Sequence, residues 1–334
     1  MLTWGIIGTG DISERLVADL MTLPDARVSA VWGRSAARAD HFARTHGIPV
    51  ATESLDALLA RDDVRVVYIA TPAHTHADIA IEALAAGKHV LIEKPIAGSA
   101  PEAERIFAAA RAARRFAMEA MWMRFNPLHV DLLDRIGAGL LGEVSSVRAS
   151  FGTPFHPRGR VRKPADAGSA LRDRGIYAVT LSSWFLGEPM RIAASGVFDG
   201  DVDTSGHTTL ESGSGFAHLS WSGTEFLDLS ASVAGARGWV TIAPMFWAGT
   251  RANVHAGSAE AIFGSPEVIE HPRLGNGYRP MLTAVADAIQ SGLLEHPWHT
   301  HADTLAVSRS MDQIISAMRS AQSVSPPRSV PNLY

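Results

Sequence analysis

Residues 2–20 read LTWGIIGTGDISERLVADL, a short apolar run broken by Gly8, Thr9 and Gly10 and followed by apolar residues at helical spacing. Thr3–Ile7 has the composition of a buried strand, and Leu16, Val17, Leu20 and Met21 fall on one face of the helix that follows. A strand that enters a helix through Gly-x-Gly lets the backbone approach a pyrophosphate and aims the first helical N–H groups at it. Gly8, Thr9 and Gly10, with Asp11 and Ile12 at the helix start, are therefore the candidate phosphate-facing residues. Ser13 stands where a third glycine would complete GxGxxG, so the strand and helix around the turn carry the reading.

Outward from this stretch, Arg27–Trp32, Val64–Ala70 and His89–Ile92 are Val- and Ile-rich runs separated by helical spacing, the alternation of a parallel sheet. Ile79, Ala80, Ala83 and Leu84 mark one helix face, which Gly87 can terminate. Ser99 with Glu102 predicts a capping box opening an Ala-rich helix to about Arg114. Phe116–Met121 then reads as a strand. Asn126 and Pro127 resemble an N-cap and first-turn proline of a helix ending near Gly137. The chain is expected to divide just before it, into residues 1–121 and 122–334.

Beyond the division, Val144–Phe151, Arg191–Ser195, His207–Ser212, Gly215–Ser222, Glu225–Val233 and Trp239–Ile242 read as strands in close succession. Helices are predicted over Ser169–Leu186, Pro280–Gln290 and Asp303–Met318, a loop over Gly152–Ala167, and an extended tail at the end. The expected fold is an α/β Rossmann dinucleotide-binding domain followed by an α+β domain with a large, mostly antiparallel open sheet. An apolar sheet face has to be covered, which suits a homodimer through this second sheet.

The chain has 334 residues, 46% hydrophobic and 19% charged, the balance of a globular protein large enough for two cores. Its formal charge of −4 offers no electrostatic reason to expect nucleic acid or an acidic membrane. The longest apolar runs fall well short of the ~20 residues of a bilayer-spanning helix. Zero cysteines remove thiolate nucleophiles and Cys-ligated zinc. Leu2–Ile7 already reads as a folded strand, so the expected location is cytoplasmic and the expected partner a small molecule.

The second strand ends Val31-Trp32-Gly33-Arg34-Ser35, without the acid that commonly bonds the ribose hydroxyls in NAD-binding folds. Arg38 lies one helical turn beyond Arg34, so two guanidinium groups can face one 2′-phosphate. NADP(H) is the expected cofactor. Glu93-Lys94-Pro95 follows the His89–Ile92 strand at its carboxyl end, where ligands bind in open α/β sheets.

With the opening glycines, Thr71-Pro72 and His76, this Glu-Lys-Pro run resembles the glucose-fructose oxidoreductase, inositol dehydrogenase and rhizopine-catabolism (Gfo/Idh/MocA) family. Residues 118–125, MEAMWMRF, resemble the branch of dimeric trans-dihydrodiol dehydrogenases and NADP-dependent xylose dehydrogenases. The resemblance spans nearly the whole chain and is weakest over about Met245–Arg273. It implies an NADP(H)-dependent dehydrogenase of a sugar, polyol or cyclic diol, with Lys94 beside nicotinamide and substrate. Cofactor contacts are then expected at Gly8, Thr9, Gly10, Asp11, Ile12, Arg34, Arg38, Thr71, Pro72, His76, Glu93, Lys94 and Arg124.

Asp173-Arg174-Gly175-Ile176-Tyr177 matches the family pattern of an aspartate followed four residues later by His or, in this branch, Tyr. That spacing brings both side chains to one helix face. Tyr177 is expected to exchange the substrate proton, Lys94 to lower its pKa and polarise the oxygen, and Asp173 to orient substrate or lysine. Trp122 and Phe155 are candidates for the wall against which a ring stacks, and Arg160 for a basic-loop contact to substrate. Arg172 and Arg174 stand where the family usually has apolar residues, and Ser169 where glycine is frequent. His74 with His76, and His299 with His301 and Asp303, lack the helical ligand spacing of familiar zinc enzymes, so no metal is expected. Competing readings are an inactive NADP(H)-binding regulator, against which intact Lys94, Asp173 and Tyr177 argue, and a reductase of anhydrosugar or biliverdin type.

Overall fold

The computed structural model describes residues 1–154 and 168–324, so Phe155, Arg160 and the final tail lie outside the described residues. The first sheet is built from β1 (Leu2–Ile7), β2 (Ala26–Trp32), β3 (Val50–Thr52), β4 (Val66–Ile69), β5 (His89–Ile92) and β6 (Ala117–Glu119). Its order is β3-β2-β1-β4-β5-β6, and every pair is parallel. The order reverses between β1 and β4, which opens a crevice at the carboxyl ends of those strands. Helices α1 (Asp11–Leu20), α2 (Ala36–His46), α3 (Leu55–Leu59), α4 (His76–Ala85) and α5 (Ala100–Ala113) connect them.

Local chemistry sets the helix ends as the sequence indicates. The Ser99 hydroxyl accepts from the Glu102 N–H at the start of α5, while the Glu102 carboxylate reaches the Gly98 N–H at 2.9 Å. Asn126 caps α6 (Pro127–Gly137) by accepting from the Leu128 N–H. On α1, Leu16, Val17 and Leu20 are buried, each worth roughly 1.5–3 kcal/mol over exposure. Met21, expected on the same face, is instead the helix's C-terminal cap and is 48% exposed.

The second sheet runs β14-β13-β12-β11-β7-β10-β9-β8. Its strands are β7 (Val144–Gly152), β8 (Arg191–Asp199), β9 (Val202–Glu211), β10 (Phe216–Ser222), β11 (Ala231–Gly235), β12 (Gly238–Ile242), β13 (Arg251–Ala256) and β14 (Glu267–Glu270). All neighbours are antiparallel except β7 and β10. The chain leaves β7 through a helical segment and the β8–β9 hairpin, and β10 returns beside β7 in the same direction. One face is covered by α7 (Ile176–Leu186) and α10 (His301–Val324). Between them come the short α8 (Ala259–Phe263) and α9 (Arg279–Gln290).

Several boundaries differ from the sequence reading: β9 begins at Val202 instead of His207, β8 runs on to Asp199, and β13 and β14 were not expected. β6 is shorter than Phe116–Met121, because Met121 already turns into a 3₁₀ segment at Trp122–Phe125. β11 starts at Ala231 because Ser222 and Asp228 side chains tie the preceding turn to its own backbone. The segment before α7 is a π-turn, Leu171–Gly175, rather than α-helix from Ser169. One buried core runs from Trp4, Ile6 and Leu16 through Met121 and Leu128 to Val147, Leu219 and Val240. A second, with Ile69, Ala80, Ile106 and Phe107, lies on the other face of the first sheet. Among the described residues no helix is long and apolar enough to cross a membrane.

Candidate active site

The turns after β1, β4 and β5 meet at the carboxyl edge of the first sheet. Gly8 has φ +116, and a Cβ there would lie 2.6 Å from the Ala70 carbonyl oxygen, so only glycine lets the turn pack against β4. Gly10 caps α1 without a side-chain hydrogen bond, and a Cβ added to it would meet nothing within 4 Å. An uncovered helix N-terminus beside this open space fits the pyrophosphate of a dinucleotide. Thr9, Asp11 and Ile12 border the same turn. Arg34, just after β2, and Arg38, in the first turn of α2, are exposed, and Arg38 Nη2 donates to the Thr9 carbonyl at 3.4 Å.

An acid missed in the sequence also reaches this corner. Glu53, from the end of β3, accepts from the Ala36 N–H at 2.9 Å and so caps α2. Only the sheet order, which sets β3 beside β2, brings it there. His76 corrects the sequence expectation: it is 1% exposed, and its ring nitrogens lie 2.8 Å from the Thr71 and 3.0 Å from the Pro95 carbonyl oxygens. It ties the Thr71-Pro72 turn to the Glu93-Lys94-Pro95 turn instead of facing the crevice, and burial holds its pKa below the ordinary imidazole value.

Lys94 precedes a cis peptide bond to Pro95. Its Nζ donates to the Asp173 carbonyl at 2.7 Å and to Asp173 Oδ1 at 2.9 Å, and lies 5.2 Å from the centre of the Tyr177 ring. Asp173 Oδ2 accepts from Arg174 Nη1 at 2.9 Å, so the carboxylate bridges two cations. Beneath Lys94, the fully buried Glu93 accepts from the Tyr68 hydroxyl at 2.5 Å and from the Lys94 N–H at 3.1 Å. Burial pushes the Glu93 carboxyl up to about 7 against the opposing pull of Tyr68 and Lys94.

The π-turn places Asp173. Buried Asp203 accepts from the Leu171 N–H at 2.7 Å and from Trp221 Nε1 at 3.0 Å, and Ser169 Oγ caps the Arg172 N–H at 3.1 Å. Ser169 thus performs a role that glycine lacks. Gly175 packs so closely that a Cβ would lie 2.7 Å from Leu171 and 3.2 Å from Trp221. The two unusual arginines diverge: Arg174 pairs with Asp173, whereas Arg172 pairs with Asp312 of α10.

Tyr177 sits in an aromatic enclosure. Trp122 Nε1 donates to its hydroxyl at 3.0 Å, and the stacked pair Phe151 and Trp247 lies 6.0 and 6.1 Å from its ring. Tyr278 packs 5.5 Å from Trp122 on the far side. Phe151, Trp247 and Tyr278 were not read from the sequence; the latter two lie in irregular segments without periodicity. The Tyr177 pKa does not move in the direction expected from a nearby Lys94. Burial, then the Glu93 charge, raises it, and the ammonium is held by Asp173 over the ring face instead of beside the phenol oxygen.

Arg124 also departs from its expected place. Its guanidinium lies 5.7 Å from the Trp184 ring and 5.5 Å from the Trp298 ring, a cation–π sandwich near the far end of α7 from Tyr177. His299 and His301 bond Glu119 Oε2 at 3.4 Å and the Ala117 carbonyl at 2.9 Å, while Asp303 caps Thr300. Among the described residues no three metal-ligating side chains cluster.

Comparison with known proteins agrees with this architecture. Residues 2–120 match the oxidoreductase family with NAD-binding Rossmann fold, and residues 129–241 the GFO/IDH/MocA C-terminal domain. The chain is 33% identical to trans-1,2-dihydrobenzene-1,2-diol dehydrogenase of Xenopus laevis, over 94% of this chain and 97% of that one. Among solved structures, a 3-ketoreductase from Actinomadura kijaniata, in complex with NADP and TDP-benzene, superposes with TM-score 0.82 at 31% identity, covering 95% of this chain and 97% of that one. An aldose-aldose oxidoreductase from Caulobacter crescentus gives 0.84 at 25% identity, covering 96% and 98%. The open glycine turn, the Lys94 turn and the Tyr177 helix thus lie on a shared scaffold, and the chain belongs to the Gfo/Idh/MocA oxidoreductase family.

Proposed function

We propose that this chain is an NADP(H)-dependent oxidoreductase that interconverts a hydroxyl and a carbonyl on a sugar, polyol or cyclic trans-diol. The observation that carries this reading is the meeting of Lys94, Asp173 and Tyr177, inside aromatic walls, at the sheet edge that holds the open Gly10 turn. A relative that acts on a diol and a structural neighbour crystallised with NADP support the substrate class and cofactor. Gly8, Thr9, Gly10, Asp11 and Ile12 would hold the pyrophosphate, and Arg34 and Arg38 the 2′-phosphate. Thr71 and Pro72 would border the nicotinamide half.

Bound nicotinamide supplies or accepts the hydride. In reduction, Tyr177 gives its phenolic proton to the carbonyl oxygen. A phenol is protonated at neutral pH, and burial and Glu93 raise its pKa further, so release of its proton depends on positive charge placed near the reacting oxygen. Trp122 Nε1–H then donates to the phenolate left behind. Lys94 supplies positive charge beside the reacting oxygen, and Asp173 and Arg174 fix the ammonium. Trp122, Phe151 and Trp247 exclude water and offer flat faces to a ring.

Tyr177→Phe should lower turnover at least ~100-fold, the scale of a lost general acid, with NADPH binding unchanged. Absorbance-monitored assays against pentoses, hexoses and trans-dihydrodiols, with NADPH titration by fluorescence, check this; retained turnover excludes the role. We propose also that the chain divides near residues 121 and 122, works in the cytoplasm, and forms a homodimer through the open face of the second sheet. Zero cysteines support the compartment, and the sheet face left uncovered among the described residues, with exposed Phe216, supports the dimer.

A further inference from the structure

Asp19 lies on α1, whose first turn borders the Gly8–Gly10 crevice, and is 1% exposed. Burying a carboxylate is costly unless donors satisfy it. Here the donors come from the other end of the chain. The Asn276 N–H donates to Asp19 Oδ1 at 2.8 Å and Oδ2 at 3.0 Å, and the Tyr278 N–H to Oδ2 at 2.9 Å. Asn276 Nδ2 reaches Oδ1 at 3.3 Å and the Arg15 carbonyl at 3.1 Å, and Arg279 Nε stands 3.8 Å away.

The captured turn is shaped on both sides. Gly275 has φ +62, and a Cβ there would lie 2.2 Å from Asp19 Oδ1. Gly277 has φ +104, and a Cβ there would lie 2.8 Å from the Trp122 indole. The turn therefore fills the space between Asp19 and Trp122, with Tyr278 packed against the same indole. Trp122 in turn donates to the Tyr177 hydroxyl.

We propose that Asp19 is a positioning residue for catalysis: through the 275–278 turn, it fixes the Trp122 indole that orients the Tyr177 phenol. The inference rests on the oxidoreductase reading above. It makes the helix that receives the cofactor also the anchor of the catalytic hydrogen bond, although Asp19 touches neither substrate nor nicotinamide.

Asp19→Asn tests it, because an amide sets an N–H against one of the N–H groups that the carboxylate accepts. The variant should lose about tenfold in kcat/KM, the scale of one lost hydrogen bond, with NADPH affinity within about twofold. The decisive readout is a double-mutant cycle with Trp122→Phe: if Asp19 acts through the indole, Asp19→Asn adds little in that background. A fully additive loss overturns the proposal, as does an unchanged kcat/KM in the single variant. Should Asp19→Asn not fold, Gly277→Ala leaves the carboxylate bonds and pushes on Trp122. It should give the same loss, and a normal kcat/KM overturns the inference. Amide exchange at Asn276 and Tyr278 should quicken in Asp19→Asn; unchanged exchange refutes the latch itself. Absence of turnover by the unaltered protein counts against the oxidoreductase reading, and the exchange measurement then decides the latch separately.

Discussion

Glu93 illustrates how a single buried group links stability to pH. Its ordinary carboxyl value is 4.5, and burial raises it to about 7 in the native fold. Between these values the native state keeps a proton that the unfolded chain has lost. Stability from this group is therefore complete below about 4.5, falls as pH rises to about 7 and stays low above it, a change on the order of 3 kcal/mol. Glu93→Gln should flatten this decline, so its stability relative to the unaltered protein should improve from pH 5 to pH 8 in denaturant titrations. An equal decline in both proteins would assign the effect to another group. At this scale the meeting of Lys94, Asp173 and Tyr177 could be anticipated, because each sits in a short run that the family resemblance picks out. Glu53 and Trp247 could not: one reaches the cofactor corner only through strand order, and the other enters the enclosure from an aperiodic turn. The direction of the Tyr177 shift was also hidden, since it depends on how deeply the phenol is buried and where the Lys94 ammonium points.

Elements with strong apolar periods were read in outline, but β13 and β14 were missed, β9 begins before its expected start, and the element that matters most to the site was read only in part. His89–Ile92 and Pro127–Gly137 carry clear strand and cap signals, and the structure reproduces both. β3, with three half-buried residues, carries no comparable signal. The Leu171–Gly175 π-turn could not be distinguished from α-helix, because local spacing is similar and the cause is remote: Asp203 on β9 holds its first N–H. Asp203→Ala would strand that N–H and the Trp221 indole in a buried site, at a cost of roughly 2–4 kcal/mol. The melting temperature should fall accordingly. Because the same turn carries Asp173, kcat/KM should drop even at temperatures where the variant is folded. Full activity in a folded variant would separate the π-turn from the chemistry.

At the scale of the molecule, the two expected sheets are present, and the second has one face packed under α7 and α10 and the other bare of helices among the described residues. Arg148, Phe216, His218 and Val197 are exposed on strands of that sheet. If two copies meet there, light scattering at micromolar concentration should give twice the 35.7 kDa of the chain, and Phe216→Glu should shift the population towards that single mass. A dilute, active monomer would refute the dimer. The sequence suggested a simple succession of two halves, but the chain does not finish one before beginning the other. On the outer edge of β6 the Ala117 N–H donates to the Leu294 carbonyl at 3.0 Å, and the Ala117 carbonyl is met by His301, 184 residues further on. During synthesis, the ribosome therefore releases a parallel sheet whose last edge stays bare until residues 294–301 have emerged. Chaperone capture of nascent chains should persist until residues 294–301 leave the exit tunnel, the moment at which the first sheet gains the cover of its last edge.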